Sequence, residues 1–407
     1  MLTRAGESES FALMPPGIQK NFRVGIDLGP GGMGRRAPGT ARHVTEQARA
    51  LFKLDVPWTW IPLVESASNP LYEEMRAQKL NPIVVPGQKV SARATLAVGR
   101  AWAAHRCDLG FATAYFVPWR SCKVVANFFD SNAYEYGWTW VKTGLRWNHY
   151  MNRALSNWCI TRAERLFVNS HYCAEVLRRK FPAHAAKFRV TPPGILPPME
   201  EAADSQPAVL ASLKKPYCLF VGIFSENKNQ RRLIEAWARW QQSDPDAPAL
   251  VLVGGSDARY LEANVLPALR AAPRPEEIIL AGFLRDPEVS WCYRHASVYI
   301  QPSFAEGFGL PVVEAMSYGL PVAASNTTSL PEIGGDAAVY FDPANVESML
   351  GVIRNLWGDN EQRRLLIERG RARPQQFTWE KNAHAVAAQI EEVLAQSTSR
   401  TSSQHQS

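Results

Sequence analysis

Two glutamates eight residues apart, Glu306 and Glu314, lie in the string F-A-E-G-F-G-L-P-V-V-E-A-M from Phe304 to Met316. The apolar run from Ser297 to Ile300 before them reads as a short buried strand. Gly307 and Gly309 suit a tight turn at which backbone can approach a ligand. Pro311 suits a first helical position, and Gly319 suits a helix stop. The pattern therefore predicts Glu306 on the loop at a strand's carboxyl end and Glu314 about one turn into the next helix. The N–H groups at that helix start, around Gly307, Phe308, Gly309 and Leu310, would favour an anionic group. The two carboxylates could accept hydrogen bonds from hydroxyls. A nucleotide-diphospho-sugar carries both kinds of group. Either glutamate alone reads equally well as a solvated residue near a helix N-terminus, favoured by its dipole. The full string carries the functional reading.

The elements that must position these residues follow from the rest of the chain. Phe22 to Leu28 reads as a first strand, followed by a glycine-rich loop from Gly29 to Gly39 and a helix over Thr40 to Leu54. Strand, glycine loop and helix open a doubly wound unit, and the loop amides could face a phosphate. A plain long turn explains the loop equally well. Further strands are predicted at Asn81 to Val85, Lys123 to Phe129 and Arg165 to Asn169. The segment Leu196 to Lys215 lacks periodicity and reads as a linker. After it, Pro216 to Gly222, Ala249 to Gly255 and Ile278 to Leu284 are apolar runs that end in or run through glycine. Such runs suit parallel strands buried on both faces. A helix is predicted from about Gln230 to Trp240 and a last one from about Phe377 to Leu394. Residues 1–21 and 396–407 read as flexible or disordered tails.

Glu306 to Ser325, E-G-F-G-L-P-V-V-E-A-M-S-Y-G-L-P-V-A-A-S, closely resembles the E-x7-E signature of retaining GT-B glycosyltransferases of the family-4 type. S-L-P-E-I-G-G-D-A-A, from Ser329 to Ala338, extends the likeness. The resemblance is strong over 216–345 and weaker, but in register, over 22–195. It implies an α/β GT-B fold: two doubly wound Rossmann-like domains, 22–195 and 216–378, facing across a cleft. A helix over 379–395 would cross back to the first domain. The resemblance places Glu306 beside the donor sugar and Glu314 on the ribose. I-F-S-E-N-K-N, from Ile223 to Asn229, matches the family's diphosphate-gripping segment. Lys228 stands at its lysine, while Ile223 replaces its arginine. Arg35, Arg36, Arg42, Arg231 and Arg232 are possible substitutes. Gly39 and Arg42 fall at the family's glycine-rich helix head, where Ala41 replaces a glycine. Phe283 and Leu284 fall where the base would lie, although core packing explains them nearly as well. Phe129-Asp130 stands at a His-Asp pair, leaving Asp130 as an acceptor-side candidate without its histidine.

The implied chemistry is transfer of a hexosyl group, mannosyl or related, from a nucleotide-diphospho-sugar such as GDP-mannose. The sugar donor is a substrate, and no cofactor or metal is expected. Two rivals stay open: a catalytically impaired partner protein of the same fold, and another GT-B chemistry such as nucleotide-sugar epimerisation.

Composition bounds the partners. Residues 1–195 carry 26 Lys+Arg against 13 Asp+Glu, while residues 196–407 carry 19 against 25. A basic first half suits an anionic membrane surface or an acceptor carrying phosphate. The Trp-, Tyr- and Arg-rich stretch from Trp138 to Trp158 could meet sugar rings or lipid, although core packing is its commoner use. Nucleic acid is not expected, because no zinc finger, RNA-binding aromatic signature or dense basic run is present. The six cysteines form no C-x-x-C pair and suit a reduced, cytoplasmic setting. No apolar run reaches the ~18 residues of a membrane span, so any membrane contact would be peripheral, at the cytoplasmic face.

Overall fold

The computed structural model describes residues 21–29, 38–86, 92–114, 117–118, 122–135, 146–199, 205–256 and 258–404. Within them the chain forms two all-parallel sheets. The first is built from β1 (Phe22–Asp27), β2 (Trp58–Val64), β3 (Ile83–Val84), β4 (Leu109–Ala112), β5 (Lys123–Phe128), β6 (Arg165–Val168) and β7 (Phe188–Val190). The second comprises β8 (Tyr217–Val221), β9 (Ala249–Val253), β10 (Ile278–Gly282), β11 (Val298–Gln301), β12 (Val322–Ser325) and β13 (Ala338–Phe341). Their orders are β3-β2-β1-β4-β5-β6-β7 and β10-β9-β8-β11-β12-β13. Both orders reverse direction once, between β1 and β4 and between β8 and β11. Ligands of such sheets gather outside the strands' carboxyl ends at that reversal. This is the α/β architecture of two doubly wound domains that the sequence predicts.

Near-continuous apolar strands dictate this arrangement. All of Ala249–Val253 is buried, as expected of a strand covered by helices on both faces. One apolar cluster holds Phe220, Trp237, Leu252 and Ile353 on one side of the second sheet. Another holds Leu219, Val251, Tyr299 and Met316 on the other.

Several boundaries differ from the sequence expectation. The first helix, α1, runs Pro38–Phe52, two residues earlier than predicted, and the second-domain helix Gln230–Ser243 runs on past Trp240. Strand β2 was not foreseen because Pro62 interrupts its pattern. It pairs with β1 along its whole length but with β3 only from Leu63, so the missing N–H costs no bond on that side. The linker contains a 3-10 turn, Ala208–Leu210, anchored by fully buried Leu210. The expected disordered tail from 396 is corrected: the last helix spans Trp379–Gln404, because no Gly or Pro stops it earlier. This helix follows the second domain in sequence but packs on the first. Trp379, Ala383, Val386, Ile390 and Leu394 share a cluster with Val24, Val44, Leu51 and Phe111.

Of the aromatic stretch, 138–145 lie outside the described residues, and Arg146–Arg162 is helical. Trp158 packs against the first domain's core, donates to Val117 O at 3.2 Å and carries the Arg162 guanidinium over its ring. Among the described residues all six cysteines are free thiols, and no helix is long and apolar enough to cross a membrane.

Candidate active site

Lys228 ends the 3-10 turn Glu226–Lys228 that follows β8, and Glu306 lies on the loop after β11. The two strands flank the second sheet's reversal, so their loops converge. Lys228 Nζ donates to both Glu306 carboxylate oxygens at 2.6 Å. Asn229 fixes the turn from beneath. It adopts φ 60°, is 2% exposed, and donates through Nδ2 to Pro302 O and Pro343 O at 3.0 and 2.9 Å.

Glu306 is 8% exposed and held on several sides. Gln301 Nε2 and Ser303 Oγ donate to its Oε1 at 2.9 and 2.7 Å, and its backbone N–H reaches Thr328 Oγ1 at 3.1 Å. Tyr299 donates in turn to Gln301 Oε1. Burial, with Glu306 and Glu314 adding to it, holds the Tyr299 phenol well above the usual tyrosine range, so it stays a donor. Sequence reasoning missed Gln301, Ser303 and Tyr299. Polar residues in and just after an apolar strand run were the available signal.

Glu314 sits in the helix Leu310–Ser317, which begins at Gly309 in a left-handed conformation with φ 102°. No side chain caps that start, so its amides are available to an anion. Tyr293 donates to Glu314 Oε2 at 3.2 Å and Arg42 to Oε1 at 3.0 Å. Arg42 also reaches Asp286 at 3.0 Å. Burial works against the guanidinium charge, but Glu314 and Asp286 more than offset it and hold the Arg42 pKa above its usual range. Arg42 comes from α1 of the first domain, so this contact spans the cleft.

Other ties close the cleft beside it. A Cβ on Gly307 would lie 2.4 Å from Phe129 O and 2.9 Å from the Asp130 Cβ, so only glycine permits this approach. Ser170 Oγ and Cys173 Sγ donate to Gly307 O at 2.9 and 3.3 Å. Glu332, from the second domain, accepts from the backbone N–H groups of His171 and Tyr172 at 2.9 Å each. Those amides open the helix His171–Lys180, so a carboxylate from one domain caps a helix of the other. Exposed Asp130 therefore lies directly across from the Gly307 turn.

The remaining sequence candidates distribute unevenly. The Phe308 side chain is 4% exposed and packs edge-on against Phe377, in a cluster that Leu310 partly joins. With the ring buried, what Phe308 can offer a ligand is its backbone N–H, the group the sequence pattern points to. Phe283, after β10, is 52% exposed, whereas Leu284 packs partly into the core. Gly39 is exposed, and a Cβ there would meet nothing within 4 Å. Arg35, Arg36 and most of the glycine-rich loop lie outside the described residues. Ile223 is 45% exposed at the β8 turn, and Arg232 stacks over Phe304 nearby, 5.1 Å from the ring centre. Arg231 pairs with Glu235 along its own helix.

Two ionisable groups of the first domain escaped sequence reasoning. Asp27 ends β1 at the first sheet's reversal, where burial raises its pKa to about 7 against a hydrogen bond from the Gly29 N–H, with Glu65 adding to the rise. His43, 4% exposed, stands edge-on to Phe129 and Trp379, with Nε2 unbonded. Burial lowers its pKa to about 3, so the imidazole is neutral.

Comparison with known proteins bears on the family and the fold. The family model "Glycosyl transferases group 1" matches residues 203–373, and "Glycosyltransferase Family 4" matches 38–197. The chain belongs to the family-4-type GT-B glycosyltransferases. The "O-antigen chain mannosyltransferase B" of Escherichia coli is 37% identical over 165 residues, 40% of this chain and 42% of that protein. A "Serotype-specific mannosyltransferase WbdA" of Escherichia coli is 31% identical over 177 residues, 42% of this chain and 21% of that protein. The matches thus span well under half the length of either relative. Among solved structures, the sucrose-phosphate synthase (tll1590) from Thermosynechococcus elongatus superposes with a TM-score of 0.72 at 19% identity. That superposition covers 92% of this chain and 99% of the other, and it speaks for the fold.

Proposed function

We propose that this glycosyltransferase moves a hexosyl group, mannosyl first among the candidates, from a nucleotide-diphospho-sugar, with retention at the anomeric carbon. GDP-mannose is the leading donor. The acceptor is a glycan or lipid-linked glycan in surface polysaccharide or glycoconjugate synthesis. The observation that carries this reading is the Lys228–Glu306 ion pair at the second sheet's reversal, with Glu314 on the helix that follows and Asp130 across from the Gly307 turn. Its relatives' names, both mannosyltransferases, support the sugar.

In this reading Glu314 accepts the ribose hydroxyls. Lys228 and the amides at Gly309 stabilise the charge that grows on the departing diphosphate, an effect of the kind that usually dominates catalysis. Glu306, held by Lys228, Gln301 and Ser303, stabilises positive character at the anomeric carbon rather than attacking it. The acceptor hydroxyl passes its proton to the leaving phosphate. Arg232, stacked over Phe304, is a candidate for the cation lost at Ile223. Exposed Phe283 offers a face to the base.

A thermal-shift panel of nucleotides and nucleotide sugars tests the donor, since a ligand at 100 times its Kd stabilises by about 2.7 kcal/mol. Transfer to acceptor glycans then tests the reaction, with proton NMR reading the anomeric configuration. Stabilisation by no nucleotide, or an inverted product, would overturn the proposal. Donor converted without acceptor would indicate epimerisation instead. The basic first domain further suggests peripheral contact with anionic lipid, at about 1 kcal/mol per basic residue near the surface. Co-sedimentation with anionic liposomes should exceed that with neutral ones at low salt and fall as salt rises. Equal binding to both would sink the membrane contact alone.

A further inference from the structure

Arg42 belongs to the first domain by sequence and by helix, yet both of its ion-pair partners belong to the second. One terminal nitrogen lies 3.0 Å from Glu314 Oε1 and the other 3.0 Å from Asp286 Oδ1. The pair with Glu314 is sheltered, the glutamate side chain being 17% exposed, whereas Asp286 is 68% exposed. Tyr293 engages the other Glu314 oxygen at 3.2 Å. A carboxylate offers about four lone-pair positions. Arg42 and Tyr293 take one on each oxygen and leave about one on each. Two vicinal hydroxyls need that pair of acceptors, presented side by side.

We propose that Arg42 is a positioning residue for the nucleotide, supplied from the opposite domain. It fixes the Glu314 carboxylate in the orientation that receives both ribose hydroxyls, and it does so only when the cleft is closed. The inference rests on the reading of Glu314 as the ribose acceptor. Its consequence is linkage. Closure brings Arg42 to Glu314 and tightens nucleotide binding, so nucleotide binding must favour closure by the same factor. The contacts of Gly307 with Ser170 and Cys173, and of Glu332 with His171 and Tyr172, supply the closed geometry in which Arg42 can act. Asp286 steadies the far side of the guanidinium.

The test crosses one residue with one ligand feature. Calorimetry measures the affinity of wild type and Arg42→Ala for GDP and for 2′,3′-dideoxy-GDP, with UDP and its dideoxy analogue in parallel. Arg42→Ala should weaken the ribonucleotide at least about 10-fold and the dideoxy ligand less than about 3-fold, because the latter has no hydroxyls for Glu314 to receive. Small-angle scattering should show compaction on adding ribonucleotide in wild type and little in the variant. Equal losses on both ligands would place Arg42 on the phosphates or in the fold, and no loss on either would make it a bystander. Each of these overturns the inference. Wild type that binds neither GDP nor UDP would overturn the reading of Glu314 itself, a different failure. Should Arg42→Ala not fold, Arg42→Lys is measured on the same four ligands, since lysine keeps the charge without the two-pronged geometry.

Discussion

Replacing Glu306 by Gln separates its charge from its shape. The amide oxygen can still accept from Gln301 and Ser303, which approach one carboxylate oxygen at 2.9 and 2.7 Å. The amide nitrogen, however, would face Lys228 Nζ, a donor against a donor, where a 2.6 Å ion pair stood. A charge-assisted hydrogen bond contributes roughly 1.5–3 kcal/mol. Lys228 is 23% exposed and can turn partly to water, so the lower half of that range applies. For a domain of this size each kcal/mol lowers Tm by about 2–4 °C. The expected fall is therefore about 3–9 °C, with the fold retained. Nucleotide affinity should stay within about threefold of wild type, because Glu314 is held by separate partners, Arg42 and Tyr293. Turnover should fall at least about 100-fold, the usual loss when a preorganised electrostatic group is removed from a transition state. Scanning calorimetry, nucleotide titration and an initial-rate assay read the three quantities. Turnover near wild type would refute the catalytic assignment of Glu306. A much larger drop in Tm would show instead that the ion pair is there to hold the fold.

If Lys228 and the helix amides stabilise the leaving diphosphate as proposed, transfer should survive excess EDTA and gain nothing from added magnesium or manganese; strict dependence on added metal would refute this. His43 should make the protein acid-sensitive. Its folded pKa of about 3 lies below the unfolded value near 6.5, so stability is lost as pH falls below 6.5, by about 2–3 kcal/mol at pH 4.5. His43→Leu should flatten that part of the pH–stability curve, and an unchanged slope in urea titrations would count against the assignment. Asp27 has the opposite slope: its folded pKa of about 7 exceeds the unfolded 3.8, so its contribution is lost as pH rises through that window. Asp27→Asn should then stabilise the protein by roughly 2–4 kcal/mol at pH 8 and change little at pH 3, which the same titrations would show.

The sequence reveals the parts of the structure that local chemistry encodes. Runs such as Ala249 to Gly255 announce buried parallel strands, and Glu306 and Glu314 announce their own loop and helix through Gly307, Gly309 and Pro311. What it conceals is long-range or locally contradictory. Arg42 and Glu314 stand 272 positions apart, and nothing periodic near either names the other. The Glu332 cap on His171–Lys180 spans 161 positions and shows in sequence only as one more acidic residue. Pro62 hides β2 because its cost depends on which side of the strand is paired, a property of the sheet rather than of the chain. Phe308 was assigned to the ligand by its place in the motif, whereas packing against Phe377 decides where its ring goes.

The return of the helix Trp379–Gln404 to the first domain also orders events during synthesis. Val24, Val44, Leu51 and Phe111 are made before the second domain, but Val386, Ile390 and Leu394, which complete their cluster, are made only after it. At roughly 5–20 residues per second, translation of the intervening second domain takes about 10–40 s. During that time the first domain carries an open apolar groove that none of its own neighbours can fill. The nascent chain is therefore most prone to aggregation before the helix Trp379–Gln404 emerges, and chaperone demand should concentrate on the first domain. The same dependence means that residues 22–195 form no self-sufficient unit. A hybrid built from two relatives must carry the helix Trp379–Gln404 with the first domain, from beyond the second.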